Sequence, residues 1–145
     1  MQEKTKLEYA RMKEFLSFYV ERYFQVPGLS PDKQPLAVLE ALEKKSMKMA
    51  LNGLRQAIND SVEMSLHFDH ATVEKLDSEL RSRGIVTLSE MRRRYSKSYA
   101  KIMKRGRIKS ENEFYLLRNV LNDPTEKTPE ELKLLEELLS NYEGA

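Results

Sequence analysis

The chain has 145 residues, 40% of them hydrophobic and 33% charged, with no cysteine and a net charge of +2. That length suits one domain with its own core, and the absence of cysteine excludes disulfides, thiolate nucleophiles and Cys-based zinc or iron–sulfur centres. No apolar run approaches the ~20 residues that a membrane helix needs, and the charged start, Met1 to Lys13, has no signal-peptide core. The expectation is a soluble, cytoplasmic chain, folded as a single domain over residues 1–145 and without a membrane partner.

The first predicted helix runs from Lys4 to Gln25, where Leu7, Met12, Phe15, Leu16, Tyr19, Tyr23 and Phe24 recur at helical spacing. Val26-Pro27-Gly28 ends it. Ser30-Pro31 reads as an N-cap followed by proline at the first helical position, with a single turn before a main helix that starts near Pro35. Leu36, Leu39, Leu42, Met47, Ala50, Leu51, Leu54 and Ile58 continue one stripe, which Val62 and Leu66 could extend. Gly53 lies within it and invites close approach of another helix. A turn follows at His67-Phe68-Asp69-His70, with Asp69 as N-cap of a short helix carrying Val73, Leu76 and Leu80, and Gly84 ends that helix.

Three boundaries carry the pattern of a hydroxyl three residues before a glutamate. They are Thr87 to Glu90, Ser110 to Glu113 and Thr128 to Glu131, and each pairs a capping hydroxyl with a carboxylate that reaches back. They predict helices over 88–105, 111–122 and 129–142, the first stopped by Gly106. Nothing alternates as a strand does. The fold class is therefore all-α, a compact bundle or orthogonal array of about six amphipathic helices joined by short turns. Its expected core is Phe15, Tyr19, Leu39, Leu42, Leu51, Leu54, Leu88, Tyr95, Ile102, Phe114, Leu117, Leu121, Leu135 and Leu138.

The small net charge conceals an asymmetry. Residues 1–90 carry 13 basic and 14 acidic side chains, residues 91–110 nine basic and none acidic, and residues 111–145 three basic and nine acidic. Projected as one helix at about 100° per residue, 88–105 places Leu88, Met91, Tyr95, Tyr99 and Ile102 on one side. Arg93, Lys97 and Lys104 fall opposite, flanked by Arg94 and Lys101. Arg105, Arg107 and Lys109 extend the charge into the next turn. Such a face suits phosphates, with Ser96 and Ser98 as extra hydroxyl contacts. The plainer reading is a solvated face, balanced in part by Glu130, Glu131, Glu136, Glu137 and Glu143 of the last helix. Tyr95 and Tyr99 lie on the core side, away from where bases would stack.

A helix-turn-helix over 73–83 and the helix from Leu88 would turn Ser89, Arg92 and Arg93 toward DNA. Against it, Glu90 and Arg93 occupy positions where that unit wants apolar support. His67, Asp69 and His70, with Glu63 nearby, have the chemistry of metal ligands, but the chain has only two histidines, and Asp69 already has a role as a cap. No nucleophile motif or phosphate-binding glycine loop is present. The expectation is a protein that is not an enzyme, without cofactor, metal or evident small-molecule substrate. The run Ile102 to Lys109, followed by Ser110 to Tyr115, resembles a motif of small bacterial proteins, and that resemblance implies no activity.

Two functions stay open, the first preferred because the basic patch has an acidic counterpart within the chain. One is a protein-interaction or regulatory module, self-associating or binding another protein, motivated by Tyr9, Phe18 and Val20 lying off the main stripe of the first helix. The other is a nucleic-acid-binding domain using Arg93, Arg94, Lys97, Lys101, Lys104, Arg105, Arg107 and Lys109.

Overall fold

In a computed structural model that describes residues 2–24 and 27–144, every regular element is helical. Gln25 and Val26, at the predicted end of the first helix, lie outside the described residues. The elements are α1 (Glu3–Tyr23), a 3-10 turn (Pro31–Lys33), α2 (Pro35–Lys45), α3 (Met47–Ser65), α4 (His70–Ser82), α5 (Leu88–Tyr95), α6 (Lys97–Arg105), α7 (Glu111–Asn122) and α8 (Pro129–Glu143). The all-α class is as expected, but eight helices stand among the described residues where about six were expected.

Two serines account for the difference. Ser46 divides the predicted second helix and Ser96 the predicted 88–105 helix. Each has extended backbone (φ −165°, ψ 121° and φ −73°, ψ 124°). Each hydroxyl accepts the N–H three residues on, from Met49 at 3.3 Å and from Tyr99 at 3.1 Å. A serine side chain offers the backbone an alternative to the helical hydrogen bond and so starts a new helix. Apolar spacing resumes on both sides of a one-residue break, which is why periodicity alone reads through it.

The described chain forms two compact units, Met1–Ser61 and Val62–Ala145, the division falling inside α3. In the first, α1 buries a broad face comprising Tyr9, Met12, Phe15, Leu16, Phe18, Tyr19 and Val20. Phe15 stacks on Tyr19. The Tyr9 hydroxyl donates to Glu43 of α2 at 2.5 Å, and Lys13 reaches the same carboxylate. That partner lets a tyrosine off the predicted stripe be buried, whereas Leu7 and Tyr23, on the stripe, are exposed. Along α3, Ala50, Leu54 and Ile58 recur every four residues and are fully buried. A methyl group at Gly53 would lie 3.3 Å from a terminal carbon of Leu42, so α2 does approach α3 closely there.

In the second unit α5 packs against α4, α6 and α7, and α7 also packs against α8. One apolar cluster comprises Tyr99, Ile102, Ile108, Phe114, Leu116, Leu117, Val120, Leu135, Leu138 and Leu139, and Val73, Leu76, Leu80, Leu88 and Met91 are buried as well. Asp69, Thr87, Ser96, Ser110 and Thr128 each cap a helix by accepting a first-turn N–H. Gly106, at φ 74°, ends α6 in the left-handed conformation that glycine adopts without strain. Of the expected core, Leu42, Leu51, Tyr95 and Leu121 are only half-buried. No helix among the described residues is long and apolar enough to cross a membrane.

Replacing Ser96 by alanine removes the cap that separates α5 from α6. We expect it to lower stability by about 1 kcal/mol in urea unfolding. An unchanged midpoint would show that packing, not the cap, imposes the break.

Candidate functional site

The break at Ser96 divides the basic segment into two parts with different surroundings. On α5, Glu90 is 1% exposed. It binds Arg93 through both oxygens, at 2.8 Å each, and Arg94 at 2.6 Å. Arg93 reaches on to Glu131 of α8 at 2.9 Å, and the Tyr99 hydroxyl donates to the other oxygen of Glu131 at 2.6 Å. The hydrogen bond from Glu90 holds the Arg93 guanidinium further above its already high ordinary value. Burial, then the hydrogen bond to Glu131, pushes the Tyr99 phenol up. Thr87, Ser110 and Thr128 all cap as expected, but Glu90, Glu113 and Glu131 serve other partners instead of closing the expected boxes.

The single cationic edge predicted for 88–105 is therefore corrected. Arg93 and Arg94 belong to a separate helix and face carboxylates. On α6, Lys97, Lys101 and Lys104 recur at four- and three-residue spacing, within an arc of about 60°, and are exposed. Arg107 and Lys109 are exposed beyond the turn, and Arg105 pairs with Glu113. Among the described residues the five side chains of Lys97, Lys101, Lys104, Arg107 and Lys109 make no ion pair. Glu63 does lie at the start of α6, accepting the Lys97 backbone N–H at 3.4 Å. Of the acids of α8, Glu131 turns inward, whereas Glu130, Glu136, Glu137 and Glu143 are exposed.

The rest of α5 is buried and polar. Arg92, 3% exposed, donates to the hydroxyl and carbonyl of Ser65. Ser89, fully buried, gives its N–H and hydroxyl to the Asp77 carboxylate of α4. These burials remove the helix-turn-helix reading, because Ser89 and Arg92 are core-facing and unavailable to DNA. Burial raises the Asp77 carboxyl, aided by Asp123 and opposed by the Ser89 bonds and Arg92. Burial acts the same way on Asp123, but hydrogen bonds from Thr125 and Thr87 and the charge of Lys127 outweigh it, so its net shift is downward.

Next to α6 a cleft of about 470 Å³ opens between the α3–α4 turn, α6 and α7. His70 and Tyr115 stack along it, centroids 4.1 Å apart and planes 8° from parallel. Ser98, Glu111 and Asn112 also line it, and Arg92 lies at its inner side. Of the His-x-Asp-His turn, Asp69 caps α4 and His70 is in this stack. Among the described residues no three acidic or histidine side chains gather in a group that could hold a metal ion. Sequence reasoning missed the cleft, since Tyr115 and Asn112 sit inside an ordinary amphipathic helix. It also missed the burial of Glu90, although arginines three and four residues after a glutamate are the signal of a paired carboxylate.

No family model matches the chain, and neither does a curated protein or a solved structure.

The two aspartates predict opposite pH signatures. A carboxyl raised in the folded state contributes stability at low pH that is lost as pH rises from its ordinary value, 3.8, through the folded one. Asp77→Asn should therefore stabilise the protein at pH 7, with a gain that fades on acidification. Asp123, lowered in the folded state, contributes stability above 3.8 that is lost as pH falls. Asp123→Asn should destabilise at pH 7, with a penalty that shrinks in acid. Urea unfolding across the acid range checks both.

Proposed function

We propose that this chain is a non-enzymatic binding module that holds the phosphate backbone of nucleic acid on the lysine face of α6. One observation carries the reading. Lys97, Lys101 and Lys104 stand exposed along a single side, with Arg107 and Lys109 beyond, while the carboxylates of Glu90, Glu113 and Glu131 already have partners. Glu90 serves Arg93 and Arg94, Glu131 serves Arg93 and Tyr99, and Glu113 serves Arg105. Cations left without internal partners are those that release counterions when phosphates replace them. Glu63 opposes this at the start of α6, so the stripe is strongest toward Lys101 and Lys104.

Electrophoretic shift of mixed DNA and RNA over a salt series tests it. Binding should weaken steeply with salt. The triple change of Lys97, Lys101 and Lys104 to alanine should lower the log–log salt slope by about 2 to 3, close to one unit per phosphate contact. Absence of binding at low salt, or a triple variant that binds unaltered, would sink the proposal.

A second reading, a module that docks a protein, draws on the exposed Leu7, Val38, Met47 and Met49 of the first unit. Methionine suits adaptable contact surfaces. Tyr9, Phe18 and Val20, the side chains that motivated self-association, are buried and do not support it. Light scattering distinguishes the self-associating form of this reading, which requires the mass to rise with concentration. A monomer at every concentration rejects that form.

A further inference from the structure

We infer that the cleft beside α6 receives one unpaired nucleobase, so that the preferred ligand of the lysine face is a single strand. The inference rests on the reading of α6 given above and adds a site to it. The cleft's volume, about 470 Å³, is within the roughly 300–1,000 Å³ of small-molecule sites.

Its walls have the chemistry that a base requires. The His70 and Tyr115 rings are stacked, and His70 is exposed while Tyr115 is half-buried, so the stack stands at the solvent edge. Bases pile onto aromatic rings of this kind whatever their sequence. Around it, Ser98 offers a hydroxyl, Asn112 an amide with both donor and acceptor, and Glu111 a carboxylate. These groups match the hydrogen-bonding edge of an unpaired base.

The distribution of charge orients the ligand. Three carboxylates, Asp69, Glu111 and Glu113, line the cleft. Asp69 is occupied by the Thr72 N–H, and Glu113 by Arg105 and the Lys109 N–H. Glu111 remains to accept from an exocyclic amine, as on adenine, cytosine or guanine. These three acids outnumber the one guanidinium on the lining, that of the buried Arg92, so a phosphate is better placed on the lysines. Ser98, on the cleft, lies about 60° around α6 from Lys101, so a strand whose phosphates track the lysine side passes the cleft mouth. A duplex keeps its base edges paired and cannot fill it. The acids also disfavour a free nucleoside triphosphate, whose charge would be brought to the same rim.

Fluorescence anisotropy of the full chain with short oligonucleotides tests the inference, comparing single strands with the same sequences annealed. Single strands bearing amino bases should bind more tightly than duplex and more tightly than oligo-uridine. His70→Ala, at an exposed position, should weaken single-strand binding about tenfold and leave duplex binding unchanged. Glu111→Ala, which removes the acceptor, should abolish the preference over oligo-uridine. Tyr115→Leu, checked for folding by circular dichroism, should act as His70→Ala does. The Lys97/Lys101/Lys104 alanine variant should weaken single strands and duplex alike.

If strands and duplex bind equally and the cleft variants change neither, the base site is wrong and the lysine face stands. If nothing binds at low salt, both are wrong. If adenosine triphosphate binds more tightly than any strand and His70→Ala weakens it, the cleft takes a free nucleotide, and the strand inference is overturned.

Discussion

The second unit is organised by the carboxylate of Glu90. It is almost fully buried and engages two arginines, one of them by a two-pronged fork. A buried carboxylate without such partners would be expensive to fold around. Through Arg93 the same network reaches Glu131 of α8, and through Glu131 the hydroxyl of Tyr99 on α6. One acid thus links α5, α6 and α8, and pairs two arginines that a count of charges leaves free.

The division between arginine and lysine follows from their shapes. Guanidinium is planar and presents several donors in a fixed fork, which suits a fixed pair of carboxylate oxygens. In the basic segment Arg93 forks onto Glu90, Arg94 and Arg105 each bind a carboxylate, and Arg92 binds the hydroxyl and carbonyl of Ser65. The compact, strongly hydrated ammonium groups of Lys97, Lys101, Lys104 and Lys109 stay in water, and Arg107 stays with them. What the segment offers a ligand is therefore mainly a row of point charges on α6, held in place by helices whose polar groups are already satisfied. No buried side-chain nitrogen or oxygen among the described residues lacks a hydrogen-bond partner. A polar interior satisfied to this degree favours one arrangement over its alternatives.

This arrangement sets two chemically different surfaces beside each other. The lysine side of α6 is a place for phosphate, whereas the neighbouring cleft, with its stacked rings, amide, hydroxyl and carboxylate, is a place for an uncharged ring with amino groups. In the proposed reading, affinity comes from the first and choice of ligand from the second, which is the usual separation of backbone and base contacts.

The helical class, the caps at Asp69, Thr87, Ser110 and Thr128, and the stops at Gly84 and Gly106 were legible from the residues, because each depends on a local backbone preference. So was most of the core, since a period of 3.6 residues marks one face of a helix whatever it packs against. The breaks at Ser46 and Ser96 were not legible, because a serine that caps and a serine that points to solvent have the same neighbours in sequence. Nor was the inward turn of Arg93, whose guanidinium reaches Glu131, 38 residues away in the chain. The cleft exists only because the α3–α4 turn brings His70 against Tyr115 of α7. Local geometry is written in nearest neighbours. Which charges face water, and which side chains enclose a space, is decided only when distant helices meet.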